Sequence, residues 1–271
     1  MSLDQEGLCK GLILSSKGDK KLVLCLNNLH GTCQELTGKN LHRAYQKECG
    51  KMNKKEIISF DLDNTLIDPT YTTFVWERGI PQLYAKKHDI SISKAARIVI
   101  AEYEKIGDVS LEWYNISYWF EYFELPGSWE RLLDEHRSKI QLFPEVKEVI
   151  EDLAQYYNLI ILSNAAREFV EFEIKEADIE YFFTRVFSAT SDFGQVKKTP
   201  QFYMQICEIM KTAPSCMAHI GDHYTFDYAV PKSVGIQAYY LNRDGKQFKD
   251  DFTVHNLREF AYLVRNSPGF Q

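Results

Sequence analysis

The sequence predicts an α/β protein with a doubly wound parallel sheet and an inserted helical domain. Three observations support this prediction. From Ile57 onward, apolar runs of strand length alternate with segments of helical periodicity. Polar and acidic side chains follow several of these runs directly, and a stretch from 70 to 140 reads mostly as helices. Strands that alternate with helices are typical of parallel sheets, in which ligands bind beyond the carboxyl ends of the strands.

Composition narrows the function classes. The chain has 271 residues, is 45% hydrophobic and 26% charged, and carries a net charge of −6. This balance is typical of a globular protein and argues against sequence-independent nucleic-acid binding, which needs a basic face. The apolar runs are too short for a membrane span, and no signal peptide is visible. We expect a cytoplasmic monomer or homodimer that binds neither nucleic acid nor membrane.

The first fifty residues differ from the rest. The stretch "LILSSKGDKKLVLCL" contains two short apolar runs around a Gly-Asp turn, which favours a β-hairpin. The fold proper is expected to begin near Met52, so residues 1–51 are interpreted as an N-terminal extension of unknown role.

The remaining elements follow in order. A strand at Ile57–Phe60 opens the core, which is predicted to comprise 52–69 and 141–271, with the helical insertion at 70–140 between its two parts. Proline is favoured at the first position of a helix, so the next helix is expected to start at Pro144. The alternation then continues with strand 158–163, helix 165–179, strand 185–190, helix 199–211, strand 217–222, strand 236–241 and helix 254–266.

Polar groups collect at the predicted strand ends. Asp61 and Asp63 follow the first core strand, Ser163 and Asn164 follow the next, and Asp222 follows "AHIG". Such a set is too negative to hold an anion unaided, and hard oxygen ligands select Mg²⁺. One carboxylate can bind the metal and attack phosphorus while its neighbour manages protons. Lys197, just before a helix start, can hold phosphoryl oxygens together with Ser163 and nearby N–H groups.

These residues form four ordered motifs: "DLDNT" at Asp61, "ILSNA" at Ser163, "GQVKKTP" at Lys197 and "GDHYTFD" at Asp222. In this respect the chain resembles the haloacid dehalogenase-like (HAD) superfamily over about residues 52–245. The resemblance implies a Rossmann-like core. The long gap between the first two motifs places the family's helical cap, which closes over the site, between them.

The resemblance also implies roles. Asp61 would be the nucleophile that forms an aspartyl-phosphate, and Asp63 would protonate the leaving alcohol and then activate water. Ser163, Asn164 and Lys197 would contact the phosphoryl group. Mg²⁺ would be held by the Asp61 side chain, the Asp63 backbone carbonyl and Asp222, while Thr65 and Asp227 would support these groups. The resemblance thus predicts a Mg²⁺-dependent phosphatase that acts on a small phosphorylated metabolite.

Several assignments stay open at this point. The third motif offers two lysines, and we favour Lys197 over Lys198 because of its offset from Pro200. Arg167 and His223 lie close enough in sequence to the motifs to contact substrate. Residues of the insertion could also shape substrate choice, although aromatic residues at helical spacing more often pack in a core. The candidates of this kind are Trp76, Arg78, Trp113, Tyr114 and Trp119.

Three other functions remain as alternatives. A 2-haloacid dehalogenase uses the same nucleophile without metal, but members of that branch lack the acid found here at Asp63. A phosphotransferase would keep the phosphorylated enzyme away from water. A catalytically idle binding protein is the third alternative, in which residues 1–51 would serve as a contact module.

Overall fold

A computed structural model describes residues 12–16, 19–23, 56–245 and 252–267. The chain divides into two compact units, Met1–Lys54 and Lys55–Gln271. In the first unit, strand β1 (Leu12–Ser16) pairs antiparallel with β2 (Asp19–Val23), so that Leu12 lies opposite Val23. This pairing is the one that a β-hairpin requires. The remainder of the predicted extension lies outside the described residues, and its role stays a prediction.

The second unit is built on a six-stranded sheet in the order β5-β4-β3-β6-β7-β8, in which every pairing is parallel. The predicted doubly wound α/β fold is thereby confirmed. The chain first builds outward from β3 to β4 and β5, then crosses back to add β6, β7 and β8 on the other side of β3. The strands are β3 (Ile57–Phe60), β4 (Asn158–Ser163), β5 (Phe183–Ser188), β6 (Met217–Gly221), β7 (Gln237–Leu241) and β8 (Thr253–Val254).

Helices cover both faces of the sheet, and β3 shows how the sequence sets this up. Successive side chains of a strand point to opposite faces. Ile58 and Phe60 therefore join an apolar cluster with α6 and α11, while Ile57 joins a cluster with α9 on the other face. The helices that cover the sheet are α6 (Val146–Ala154), α7 (Arg167–Glu176), α8 (Ala189–Phe193), α9 (Pro200–Met210), α10 (Val230–Ser233) and α11 (Leu257–Asn266).

The segment between β3 and β4 is helical, as predicted. It packs around the fully buried Trp119 in an apolar cluster of its own, to which Phe169 of α7 also contributes. Its longest helix begins where the Ser91 hydroxyl accepts a hydrogen bond from the Lys94 N–H, as an N-cap does. The helices of this insertion are α1 (Thr70–Phe74), α2 (Ile80–His88), α3 (Ile92–Ile106), α4 (Ile116–Tyr122) and α5 (Trp129–Glu135).

Several predicted boundaries differ from the structure; the predicted helix 254–266, for example, begins at Leu257, after the short strand β8. The helix expected from Pro144 begins at Val146. The Glu145 carboxylate before it lies 2.8 Å from Arg243 and accepts the Leu257 N–H at the N-terminus of α11. The predicted strand 185–190 ends at Ser188, whose hydroxyl accepts the Ser191 N–H and starts α8. In the part of the chain that the structure describes, no helix has both the length and the apolar character needed to cross a membrane.

Candidate active site

Asp61 is the centre of the site at the carboxyl end of β3. Its backbone N–H donates to the Ile220 carbonyl at 2.9 Å and so continues the sheet one residue beyond the strand. Its side chain is 10% exposed, and the Thr65 hydroxyl donates to its Oδ2 at 3.2 Å. Thr65 thus lies where the sequence predicted it, against Asp61. Burial raises the pKa of Asp61 well above its usual value, while the charge of Lys198 opposes this rise.

The ammonium at this site belongs to Lys198. Its Nζ lies 2.6 Å from Asp61 Oδ1 and 2.5 Å from Asp227 Oδ1, donates to the Leu162 carbonyl at 3.0 Å, and is almost completely buried. Burial alone would lower the pKa of Lys198, but the two carboxylates hold it above its usual value.

The choice of Lys197 was therefore wrong. Lys197 instead lies 3.5 Å from Asp108 and over the ring of Phe226, and no contact of its ammonium with Asp61 or Asp227 is seen among the described residues. The distance to Pro200 was a poor guide because it does not determine which of two adjacent side chains turns toward the strand ends, although Thr199 is the N-cap of α9, as predicted. Lys198 directly precedes this cap, and neighbouring residues in a non-helical segment face opposite ways. Only the second lysine of the pair can therefore reach the strand ends.

Asp227 is fixed from three sides. Besides Lys198, its Oδ1 lies 3.2 Å from His219 Nε2, and its Oδ2 accepts the His223 N–H at 3.0 Å. Burial would raise the pKa of Asp227, but Lys198 and His219 hold it well below its usual range. The predicted supporting role of Asp227 agrees with these contacts.

His219 and Ser59 were missed by the sequence interpretation. The Ser59 hydroxyl lies 2.8 Å from His219 Nδ1, and the opposite ring nitrogen faces Asp227. Burial lowers the pKa of His219. The ring nitrogens lie within hydrogen-bond distance of Ser59 and Asp227, and the Ser59 hydroxyl also donates to the Ala218 carbonyl at 3.0 Å. The signal was present in the sequence: Ser59 and His219 are polar residues inside otherwise apolar strands, and they are opposed in the β3–β6 register. Polar residues in such positions need each other as partners.

Asp63 faces the helical insertion. The Thr72 hydroxyl, on the first helix of that insertion, lies 3.3 Å from its Oδ1. Burial raises the pKa of Asp63 to about 6, and the hydrogen bond from Thr72 partly offsets this rise. A carboxyl group with a pKa in this range can both donate and accept a proton near neutral pH.

Asp222 follows β6, as predicted, and is oriented by Asn64. The Asn64 amide donates to Asp222 Oδ2 at 2.7 Å from a left-handed turn with φ of 56°. Asparagine tolerates this backbone region better than most residues. Asn64 lies inside the first motif but was not singled out from sequence. Burial raises the pKa of Asp222, although the hydrogen bond from Asn64 lowers it in part.

The carboxylates of Asp61, Asp222 and Asp227 converge, with one oxygen of each within 4.8 Å of the others. Asp63 does not bring its side chain to this cluster; the sequence prediction involved only its backbone carbonyl. Both oxygens of Asp227 are engaged by protein donors, and so are both oxygens of Asp61, so these contacts do not decide between the two carboxylates. Asp61 and Asp222 are the two side chains that the sequence prediction named as metal ligands. Four acids in this region face one ammonium group, and hard oxygen donors in an excess of negative charge suit Mg²⁺.

Ser163 and Asn164 lie at the end of β4. Ser163 is buried, and its hydroxyl accepts the Ala165 N–H at 3.0 Å. The side-chain oxygen of Asn164 is buried without a hydrogen-bond partner among the described residues. Both residues therefore lie at the predicted edge of the sheet.

Arg167 and His223 do not contribute free charges to the site. The Arg167 guanidinium is paired with Asp192 at 2.5 Å and with Glu171 at 2.7 Å. The His223 ring caps the turn that follows β6, where its Nδ1 accepts the Phe226 N–H at 3.3 Å. Their predicted contacts with substrate find no support in these positions.

A cavity of about 460 Å³ lies between the helical insertion and the strand ends. Asp63 lines it together with Asn164, so it opens directly from the polar centre. Of the candidates in the insertion, Trp76, Trp113 and Tyr114 line this cavity. Trp119 packs instead in the core of the insertion, and Arg78 is exposed outside the cavity.

Comparisons with known proteins agree with this fold. A family model described as haloacid dehalogenase-like hydrolase matches residues 55–235. A curated relative from Danio rerio, haloacid dehalogenase-like hydrolase domain-containing protein 3, is 40% identical over 73 residues. That match covers 26% of this chain and only 30% of the relative's length.

Solved structures extend the likeness in fold. A HAD phosphatase from Thermococcus onnurineus superposes with a TM-score of 0.66 at 24% identity, covering 77% of this chain and 97% of the other. A 2-haloacid dehalogenase from Pseudomonas syringae pv. Tomato DC3000 superposes with a TM-score of 0.56 at 21% identity, covering 78% of this chain and 98% of the other. The HAD-hydrolase YfnB from Bacillus subtilis, bound to magnesium, superposes with a TM-score of 0.55 at 18% identity, covering 79% of this chain and 100% of the other.

Proposed function

Since the chain belongs to the haloacid dehalogenase-like hydrolase family, we propose that it is a Mg²⁺-dependent hydrolase of a small phosphate monoester. Asp61 attacks phosphorus and forms an aspartyl-phosphate, which water then hydrolyses. The observation that carries this proposal is the position of Asp61: a buried carboxylate at a strand end, paired at 2.6 Å with a buried ammonium group.

Lys198 has two tasks in this scheme. Its charge lowers the pKa of Asp61 against the rise that burial imposes, and so favours the ionised form that attacks phosphorus. It also places a positive charge where the phosphoryl oxygens gather negative charge during transfer. Asp227 holds the ammonium in place from the opposite side. The Ser163 hydroxyl, at the carboxyl end of β4, donates a hydrogen bond to one phosphoryl oxygen.

Asp63 favours phosphate-ester hydrolysis over dehalogenation. An alkoxide leaving group needs a proton, whereas a halide does not. The Asp63 carboxyl, with a pKa raised to about 6, can donate that proton to the leaving oxygen and, once ionised, take a proton from the attacking water. Its position on the insertion side of the site places it beside the cavity where a leaving group would lie.

The acidic cluster fits a magnesium ion. Asp61 and Asp222 would hold it, and the ion would offset the negative charge that four acids and a phosphate group bring together. We further propose that the helical insertion acts as a cap over the cavity. Its contacts with the core at Thr72 and Asp63, and between the stacked rings of Trp76 and Phe169, support this role.

The test is phosphate release. The protein is incubated with p-nitrophenyl phosphate and a panel of phosphorylated metabolites, with Mg²⁺ or with EDTA, and in parallel with 2-haloacids. We expect phosphate release that requires Mg²⁺ and is abolished in Asp61→Asn. Halide release without metal would overturn the proposal in favour of a dehalogenase. Absence of turnover across the whole panel would overturn it in favour of a non-catalytic protein.

A further inference from the structure

The cavity beside Asp63 has an unusual charge pattern. Its lining residues, all in the described part of the chain, include two glutamates, Glu77 and Glu104, but no lysine, arginine or histidine. The unpartnered oxygen of Asn164 adds a further hydrogen-bond acceptor. The cavity therefore offers negative charge and acceptors, with no positive side chain to meet an anion.

The walls of the cavity are aromatic. Trp76 stacks on Phe169 with ring centroids 5.3 Å apart, and Tyr103 forms T-shaped ring contacts with both Trp76 and Trp113. Tyr114 completes this aromatic wall. Aromatic faces attract organic cations, and tryptophan does so most strongly. Apolar walls with a few polar groups are also typical of pockets for small organic ligands.

Besides Lys198, which is bound between Asp61 and Asp227, two cations lie near the site motifs in sequence, and they do not alter this charge pattern. Lys197 is held by Asp108, and Arg167 is held by Asp192 and Glu171. Neither of them lines the cavity. A substrate with a second anionic group would therefore place that group against glutamates and aromatic faces, without compensation.

We propose that the natural substrate is the phosphate monoester of an amine-bearing alcohol with an apolar or aromatic body. This inference rests on the proposed function, because Asp63 is expected to protonate the leaving oxygen and therefore places the alcohol part in this cavity. The apolar body packs between Trp76, Trp113 and Phe169. The ammonium group lies toward Glu77 and Glu104 at the exposed side.

The test uses three phenyl phosphates that share the ring and differ only at the end of the para chain. Tyramine O-phosphate carries an ammonium group, 4-propylphenyl phosphate carries no charge, and 3-(4-phosphonooxyphenyl)propanoate carries a carboxylate. We expect kcat/KM to fall in that order, with at least about a tenfold difference between the ammonium and carboxylate esters. Equal rates, or a preference for the carboxylate ester, would overturn the inference while leaving the proposed function intact.

Variants assign the preference to the cavity. Glu104→Gln and Glu77→Gln should each reduce kcat/KM for the ammonium ester and leave that for the propyl ester within about twofold, since only one charge is removed. Glu104→Lys should raise kcat/KM for the carboxylate ester, because it replaces a negative charge in the cavity with a positive one. Glu121→Gln, at an exposed glutamate outside the cavity, serves as the matched control and should leave all three rates unchanged. If the two cavity variants behave like this control, the inference is wrong.

A binding measurement separates the inference from catalysis. Tyramine, 4-propylphenol and 3-(4-hydroxyphenyl)propanoate are titrated into the Asp61→Asn variant while tryptophan fluorescence reports on Trp76 and Trp113. Tyramine should bind most tightly and the propanoate least. If no phosphate ester is hydrolysed but this order holds, the proposed function fails and the cavity's preference stands; if the order is absent, the inference fails on its own.

Discussion

Lys198→Met and Lys197→Met should have different effects on both the stability and the activity of the protein, although the two lysines are adjacent. Methionine keeps most of the volume of the side chain and removes its charge. At Lys198 this change leaves Asp61 and Asp227, which lie 2.6 and 2.5 Å from the ammonium, without their shared partner. Removing one member of a buried ion pair costs about 3–5 kcal/mol. For a chain of this size, that lowers the melting temperature by roughly 10 °C.

Lys197 provides the control. Its pair with Asp108, at 3.5 Å, is partly exposed, and pairs of this kind contribute about 0–1 kcal/mol. Lys197→Met should therefore melt within about 3 °C of the wild type. For phosphate release we expect Lys198→Met to lose about a hundredfold or more in kcat, the usual effect of removing one charge-stabilising donor, and Lys197→Met to keep the wild-type rate.

The pH dependence gives a further check on the melting experiment, which is done in EDTA so that no divalent cation replaces the ammonium. In the wild type the pKa of Asp227 is held low, so its ionised form stabilises the fold above the usual pKa of the carboxyl and this stabilisation is lost as the pH falls. In Lys198→Met burial raises that pKa, and the variant loses stability as the pH rises. The difference in melting temperature between the wild type and Lys198→Met should therefore be larger at pH 7.5 than at pH 5. Equal melting temperatures for the two lysine variants would refute the assignment.

Three further variants test other parts of the site. Glu173, on α7, is fully buried with both carboxyl oxygens unpartnered among the described residues, and burial raises its pKa. Glu173→Gln should therefore stabilise the protein by up to about 1.4 kcal/mol for each pH unit above the pKa of the unfolded state. Melting curves in which the difference between variant and wild type does not grow with pH would contradict this explanation. In Gly221→Ala the new Cβ would lie 2.5 Å from Asp227 Cγ, so we expect a loss of about 1–3 kcal/mol in unfolding free energy together with lost phosphate release. Gly79→Ala is the control, because its new Cβ meets a Leu132 methyl group at 3.0 Å, and it should lose much less unfolding free energy. Arg167→Gln should leave KM for the phosphate esters within about twofold of the wild type, because the guanidinium is already paired with Asp192 and Glu171; a large rise in KM would return Arg167 to the substrate.

Much of the fold was predictable because its signals are local. The apolar runs that become β3, β4 and β6 are short, and helical patterns separate them. An acid or hydroxyl follows each run, so the parallel sheet and the placement of Asp61, Ser163 and Asp222 at its carboxyl edge follow from pattern alone. The helical insertion was equally visible, since the gap between β3 and β4 is too long for a single helical connection.

What the sequence could not provide depends on side-chain direction and on partners distant in the chain. Lys197 and Lys198 have the same chemistry, and only the backbone between α8 and α9 decides which one turns inward. His219 and Ser59 lie 160 positions apart, and their contact becomes visible only once β3 and β6 are known to be in register. The pairing of Arg167 with Asp192 likewise depends on how α7 and α8 pack, which no periodicity reveals.

The central claim is that Asp61 accepts the phosphoryl group. Asp63→Asn should hold that intermediate, because it keeps the nucleophile but lacks the base that activates water. p-Nitrophenyl phosphate is the suitable substrate, since its leaving group needs no proton. After a rapid acid quench and proteolysis, mass spectrometry should find one phosphoryl group on the peptide that contains Asp61. Phosphate release with no phosphoryl group on that peptide, or undiminished release by Asp61→Asn, would contradict the account.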